Sequence, residues 1–101
     1  MAQPKTIEWL NKAHLQLFEV AAYINSQFGY QVATEFITNA FALTDRIAVY
    51  PDSGRPSKRL KSVRYVRLGK HHRMYYRVKG SVLIIIALID TRQDPGKDPY
   101  R

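Results

Sequence analysis

The chain has 101 residues and a mass of 11.7 kDa, so we expect one domain, residues 1–101, with one modest hydrophobic core. Its 46% apolar, 12% aromatic and 24% charged residues exclude disordered, collagen-like and coiled-coil classes. The absence of cysteine excludes disulfide frameworks and thiolate metal sites. The longest apolar run, Val82–Ile89, is too short to span a bilayer, and residues 1–10 lack a signal peptide's apolar region. We therefore expect a cytoplasmic protein with no membrane partner.

Charge is distributed unevenly along the chain. Sixteen Lys and Arg side chains against eight Asp and Glu give a net charge of +8. Residues 1–52 carry three basic and five acidic side chains (net −2), whereas residues 53–101 carry thirteen basic and three acidic ones (net +10). A basic half on a near-neutral scaffold predicts a polyanionic target or an acidic protein partner. The alternative is a solubilising surface, although such surfaces usually mix the two signs.

The first half predicts a short strand followed by two antiparallel helices. Lys5–Trp9 is rich in strand formers. Apolar residues then recur at three- and four-residue steps, which place them on one helix face. The expected core-facing residues are Leu10, Ala13, Leu17, Ala21, Ile24 and Phe28, then Ala33, Phe36, Ile37, Ala40, Leu43 and Ile47. Asn11 is the predicted N-cap and Gly29 the predicted end of the first helix. The second helix should end at Tyr50, because the residue before a proline is disfavoured in a helix.

The second half predicts three antiparallel strands after a linker. Residues 51–56, PDSGRP, contain two prolines and a glycine and form the expected linker. The strands Val63–Leu68, His72–Lys79 and Val82–Asp90 follow, joined by tight turns. The last strand is apolar on both faces, so we expect it to be central and covered on both sides, or to flank the helices on one side and a partner on the other. The predicted fold class is α+β, in the order β-α-α-β-β-β, with the helix hairpin on a mainly antiparallel sheet.

The middle strand alternates between a predicted core face and a cationic face. The core face comprises His72, Met74, Tyr76 and Val78, and the cationic face comprises Arg73, Tyr75, Arg77 and Lys79. The cationic face is suited to binding phosphates and stacking a base, but a merely solvated face is an equal alternative for this strand alone. The basic residues just upstream favour a binding role; they are Arg55, Lys58, Arg59, Lys61, Arg64 and Arg67.

Few residues suggest catalysis. His71 and His72 are adjacent, and the reference pKa of a histidine side chain, about 6.5, suits the proton transfer that a ribonuclease performs. The alternative is a turn residue for His71 and a core-edge residue for His72. The sequence has no carboxylate pair, metal-ligand spacing, glycine-rich phosphate loop or Ser/His/Asp order, so we expect no metal site and no cofactor.

Several short motifs follow one another along nearly the whole chain. They are a strand ending at Trp9; Ala13 through Tyr23-Ile24; Ala33 and Phe36; Pro51 with Gly54-Arg55; Arg64 with Leu68; Arg73-Met74-Tyr75-Tyr76-Arg77-Val78; and Asp90-Thr91-Arg92-Gln93-Asp94-Pro95. In this order the chain resembles the RelE/ParE family of toxins from type II toxin–antitoxin modules, closer to the ParE branch. The resemblance implies a β-α-α-β-β-β toxin that is neutralised by an acidic antitoxin segment.

The two branches imply different activities. ParE-like members poison DNA gyrase, and the helix hairpin and the Arg-Gln-Asp-Pro ending are similar to that branch. RelE-like members cleave mRNA on the ribosome, and for that activity the resemblance implies the candidates Arg73, Arg92, Tyr100 and His71, with Arg64 or Arg67 on the second strand. The chain departs from the RelE pattern in its longer spacing to Tyr100, its lack of a lysine pair on that strand and its lack of a C-terminal histidine. A third alternative is a family member that has lost toxicity and acts as a binding module.

An acidic antitoxin is the partner that we expect at the helices and the basic sheet. The residues expected to bind it are Arg55, Arg64, Arg67, Arg73, Tyr75 and Arg77. An amphipathic antitoxin helix would lie along Leu17, Ile24 and Phe36, or an extended segment would add a strand to a sheet edge.

Overall fold

Two helices pack on one face of a five-stranded sheet in the computed structural model, which describes residues 3–92, 96 and 98–100. The elements are β1 (Thr6–Trp9), α1 (Asn11–Phe28), α2 (Tyr30–Val49), β2 (Arg55–Pro56), β3 (Arg64–Leu68), β4 (His72–Lys79) and β5 (Val82–Asp90). The strand order is β1-β5-β4-β3-β2, with β1 parallel to β5 and the other pairs antiparallel. The predicted α+β architecture is confirmed. In the described part of the chain, no helix combines the length and apolar character needed to cross a membrane.

The helix hairpin turns at a single residue, Gly29, as the sequence predicts. Gly29 has a φ of +97° and a ψ of 170°, a conformation that is open essentially to glycine. The predicted N-cap of α1 is wrong by one residue. Leu10 is the cap, its carbonyl accepts the N–H of His14 at 3.1 Å, and Asn11 already lies in the helix. The helix α2 ends at Val49, with Tyr50 as its C-cap before the proline.

The main core lies between the helices and the sheet. Its buried residues include Ala13, Leu17, Ala40, Ile47, Met74, Tyr76, Leu83, Ile85 and Leu88. Three expected core residues are wrong, because Leu10, Phe28 and Val78 are 40%, 67% and 40% exposed. All three lie at or beside the end of an element, Leu10 and Phe28 at α1 and Val78 at the end of β4.

The strand β5 is central, as predicted, and contributes to a core on each face of the sheet. Its side chains alternate between the two faces, and a β-bulge shifts this alternation, because Tyr75 and Tyr76 of β4 pair with Ala87 and Ile85, leaving Ile86 as an extra residue. Ile86 and Ala87 therefore both belong to the second core, and Leu88 returns to the helix side.

The second core covers the sheet face that points away from the helices. Its buried residues are Val63, Tyr75, Ile84, Ile86 and Ala87. Tyr75 is fully buried, so the expectation that its ring is exposed among the arginines is wrong. The cause is the C-terminal segment: the Tyr100 ring centroid lies 5.1 Å from that of Tyr75, and Asp98 Oδ2 accepts the Tyr75 hydroxyl at 2.8 Å.

The expected linker, residues 51–56, is tied to the sheet. Its last two residues form β2, which pairs with Arg64 and Tyr65 of β3. The buried hydroxyl of Tyr76 donates to the Pro51 carbonyl at 2.7 Å and accepts the Gly54 N–H at 2.9 Å. A Cβ at Gly54 would lie 2.9 Å from the Tyr65 carbonyl oxygen and would also overlap the Tyr76 side chain. This close approach explains why position 54 is a glycine.

Candidate functional site

Two cavities contain most of the predicted site residues. The first, here called the basic cleft, has a volume of about 760 Å³ and lies where the end of α2 meets β2, β3 and β4. Its polar and aromatic lining consists of Arg46, Tyr50, Ser53, Arg55, Tyr65, Arg67 and Arg73. The pairing of the sheet opens this cleft. Because β2 pairs with β3 only at Arg64 and Tyr65, the β3 edge lacks a neighbouring strand from Val66 onward.

Arg73 is the most constrained arginine of the basic cleft. Its guanidinium carbon lies 4.2 Å from the centre of the Tyr65 ring, and Nη1 donates to the Tyr75 hydroxyl at 3.4 Å. The hydrogen bond with Tyr75 raises the pKa of Arg73, and burial raises the pKa of Tyr75. Its Nε is buried and has no hydrogen-bond partner among the described residues. Arg73 is therefore held in place while one of its donors stays unsatisfied.

Arg64 does not join the other arginines, contrary to the expected grouping. It pairs with Tyr76, whose side chain points to the helix side, whereas Arg67 pairs with Arg73 on the opposite face. Its Nη1 donates to the Gly54 carbonyl at 2.7 Å, and its Nη2 lies 4.0 Å from the Asp52 carboxylate. Arg64 thus fastens residues 52–54 to the sheet. Arg77 is exposed and lies four residues along β4 from Arg73, on the same face.

The second cavity, here called the apolar groove, has a volume of about 630 Å³ and lies between the hairpin end of the helices and the ends of β3, β4 and β5. The helices line it with Val20, Tyr23, Ile24, Phe28, Val32 and Phe36. Phe28, Tyr23 and Val32 are 67%, 59% and 44% exposed. Leu17 is fully buried, so the expectation that it contacts the antitoxin helix is wrong. Ile24 and Phe36, the other two residues expected to contact that helix, do line the groove.

Charged groups form the strand side of the apolar groove. Arg92 Nε and Nη2 donate to the two oxygens of Asp90 at 3.1 and 2.9 Å, and this pair lowers the pKa of the carboxyl to about 2. His72 pairs with Asp90 across the β4–β5 ladder, and its ring meets the Phe36 ring edge-on at 5.6 Å. Burial lowers the pKa of His72. His71 lies beside it, exposed to solvent.

The four catalytic candidates fall into two separate groups. Arg73 and Tyr100 both contact Tyr75, on the face away from the helices. His71 and Arg92 line the apolar groove. Gln93, Asp94 and Pro95 of the closing motif lie outside the described residues. Within residues 3–92, 96 and 98–100, no group of three His, Cys, Asp or Glu side chains is placed to hold a metal ion.

Sequence reasoning missed several residues of both cavities. Arg46 and Tyr50 reach the basic cleft from α2, and their spacing from Leu43 and Ile47 shows that all four share one helix face. That spacing was a usable signal. The sequence marks Tyr23 only as part of a family motif and does not mark Val32, because the groove forms where the helices pack beside the strand ends.

Comparisons with known proteins place the chain in a family. The model of the ParE toxin of the type II toxin–antitoxin system parDE matches residues 7–95. A search of the curated proteins found no match.

Three solved structures share the fold at low sequence identity. A structure of the chromosomal ParDE system of P. aeruginosa has a TM-score of 0.77 at 19% identity, covering 90% of this chain and 100% of its own. The YoeB/ParE toxin of Agrobacterium tumefaciens has a TM-score of 0.62 at 17% identity, covering 84% and 96%. The toxin–antitoxin complex RelBE2 of Mycobacterium tuberculosis has a TM-score of 0.58 at 18% identity, covering 87% and 99%. The family model matches residues 7–95 of this 101-residue chain, so the chain belongs to the ParE toxin family of type II toxin–antitoxin systems.

Proposed function

We propose that the protein inhibits growth by binding DNA gyrase and that a cognate acidic antitoxin neutralises it. The observation that carries the first part is the separation of the catalytic candidates. Cleavage of RNA needs a base, an acid and cationic groups around one phosphate, with proton-transfer contacts of about 2.6–3.2 Å. Here Arg73 and Tyr100 lie on one face of the sheet, and His71 and Arg92 lie in the apolar groove on the other side. Inhibition by binding needs no such convergence.

The test compares the two activities of the family with purified protein. We expect gyrase supercoiling to fall as the toxin is titrated in, and ribosome-bound mRNA to stay intact. Unaffected supercoiling together with cleaved mRNA would overturn the proposal.

One observation favours the RelE-like alternative, ribosome-dependent mRNA cleavage. Arg73 and Tyr100 share a contact with Tyr75, so two of the four candidates lie near one another. If the protein were such a ribonuclease, Tyr100→Phe or His71→Ala would abolish toxicity in a folded variant. We expect both variants to remain toxic, as judged by growth after induced expression without the antitoxin.

The apolar groove supports the antitoxin as partner. Its exposed Tyr23, Phe28 and Val32 form an apolar strip along the helices, which suits the apolar face of an amphipathic helix. Arginines of the sheet would meet the acidic residues of the same segment, since residues 53–101 carry the positive charge. The expected contacts Arg55, Arg67, Arg73 and Arg77 remain part of this proposal. Two expected contacts are left out of this proposal: Tyr75 is buried, and Arg64 donates a guanidinium hydrogen bond to the Gly54 carbonyl.

Truncation of the groove's aromatic residues tests this docking site. Phe28→Ala should weaken binding to the proposed acidic antitoxin by about tenfold or more, because aromatic anchors dominate such interfaces. Leu15→Ala is the matched control, since Leu15 is 62% exposed on α1 and does not line the groove. Equal affinities of the two variants would place the antitoxin elsewhere.

A further inference from the structure

We propose that the basic cleft binds the phosphate groups of a nucleotide, either free or as part of a polynucleotide. The inference goes beyond the proposed function and does not depend on it. Four arginines line the cleft, Arg46 from α2, Arg55 from β2, Arg67 from β3 and Arg73 from β4, and no carboxylate is among the described residues that line it.

The pairing of the sheet concentrates positive charge in the cleft. Arg67 and Arg73 are direct cross-strand partners, an arrangement in which like charges repel. Arg55 pairs with Tyr65 on the same face. The nearby carboxylate of Asp52 lies 4.0 Å from Arg64 and not in the cleft. A bound anion would relieve the repulsion between Arg67 and Arg73.

Arg73 lines the cleft with a guanidinium that neighbouring groups hold in position. Its Nε is buried and unpartnered among the described residues, whereas its guanidinium is positioned by the Tyr65 ring at 4.2 Å and by the Tyr75 hydroxyl at 3.4 Å. By contrast, Arg64 and Arg92 are engaged by Gly54 and Asp90. Solvent does not reach the Nε of Arg73, so a ligand in the cleft would bind Arg73 through its terminal guanidinium nitrogens, which are charge-assisted donors.

The chemistry of the lining favours phosphate. Arginine offers planar donor pairs that match phosphate oxygens, and every cation lining the cleft is an arginine. The volume of about 760 Å³ lies within the range of small-molecule sites. Tyr50 is 64% exposed at the same cleft, so its ring is free to stack on a base.

Binding of ATP, inorganic phosphate and a short single-stranded DNA to the purified chain tests the proposal, by calorimetry at low salt. Arg67→Gln and Arg46→Gln should each weaken ATP binding about tenfold, the effect of losing one charge-assisted contact. Both side chains are exposed and make no hydrogen bond or ion pair within the described residues, so the fold should survive. Arg77→Gln is the control, because it removes the same charge from the same sheet face outside the cleft.

The three ligands separate the two sources of phosphate. Binding of ATP that inorganic phosphate displaces, with weak DNA binding, supports a free nucleotide. Tighter DNA binding that ATP displaces supports a polynucleotide backbone. Equal losses of affinity in the Arg67 and Arg77 variants would show nonspecific attraction to the basic surface, and this result would overturn the proposal. Absence of binding by all three ligands would overturn it as well.

Discussion

Single side chains connect the two halves of this molecule, and Tyr76 is the clearest case. Its buried hydroxyl satisfies both the Pro51 carbonyl and the Gly54 N–H, two backbone groups of the 51–56 segment. Tyr76→Phe would leave both groups without a partner. We expect the free energy of unfolding to fall by about 1–3 kcal/mol, the cost of unsatisfied buried polar groups.

Chemical denaturation of Tyr76→Phe measures this loss. Tyr50→Phe is the matched control, since Tyr50 is 64% exposed, and its effect should stay within about 0.5 kcal/mol. If both variants were as stable as the unsubstituted protein, the hydroxyl of Tyr76 would have no structural role.

His72 makes stability depend on pH in a defined direction. Burial lowers its pKa in the folded state, and Arg92 and His71 lower it further, while Asp90 opposes the shift. The unfolded chain therefore binds a proton at His72 more readily than the folded chain does. The free energy of unfolding is consequently undiminished by this residue above about pH 6.5, and it falls as the pH drops below that value. His72→Gln should remove this part of the acid dependence. Unfolding curves between pH 7 and pH 5 measure it, with the exposed His71→Gln as control. Parallel pH profiles for His72→Gln and the unsubstituted protein would contradict the prediction.

Residue patterns predicted the faces of β4 correctly but the exposure of two residues wrongly, since Tyr75 is buried and Val78 is 40% exposed. Met74 and Tyr76 lie on the core side, as period-two alternation requires. The same alternation groups Tyr75 with the arginines, but it contains no information about Asp98 and Tyr100, which lie 23 and 25 residues further along the chain and cover that ring. Burial by a distant segment is a tertiary property, and a local pattern does not report it.

Elements follow from the sequence where a repeating pattern is long. Both helices and the strands β3 to β5 lie within a residue of their predicted ranges, because apolar periodicity extends over their whole length. The two-residue β2 was predicted as linker, since it is too short to show a period. Its formation depends on pairing with β3 and on the contacts of Gly54 with Tyr76.

The one-residue connection between the helices gives a prediction for the hairpin. Gly29 has a φ of +97°, and a Cβ there would meet nothing within 4 Å. Gly29→Ala should therefore destabilise the protein through backbone strain alone, by about 1–3 kcal/mol. Thermal unfolding measures it, and Gln27→Ala on exposed α1 is the control. Equal melting temperatures for the two variants would mean that the hairpin relaxes to another turn.

The whole molecule is electrostatically two-sided, because residues 1–52 carry a net charge of −2 and residues 53–101 carry +10. The helices supply the apolar side chains of the groove, whereas residues 53–101 supply thirteen of the sixteen basic side chains. In the proposed complex, an acidic partner would therefore be attracted at long range by the basic residues after position 52 and held by apolar contact at the helices. This division predicts that charge controls the rate of antitoxin association, whereas groove contacts control dissociation.

Stopped-flow binding of the proposed antitoxin checks that division. The double variant Arg55→Gln, Arg77→Gln should associate several-fold more slowly at low salt, with little change in dissociation, and the difference should shrink as salt screens the charges. The control is the double variant Asn11→Glu, Gln31→Glu, which lowers the net charge by the same amount at exposed positions on the helices. Comparing the two double variants separates the effect of the arginine surface from the effect of total charge. A similar slowing in both double variants would make net charge the cause, and an unchanged rate in the arginine variant would exclude Arg55 and Arg77 from the encounter surface.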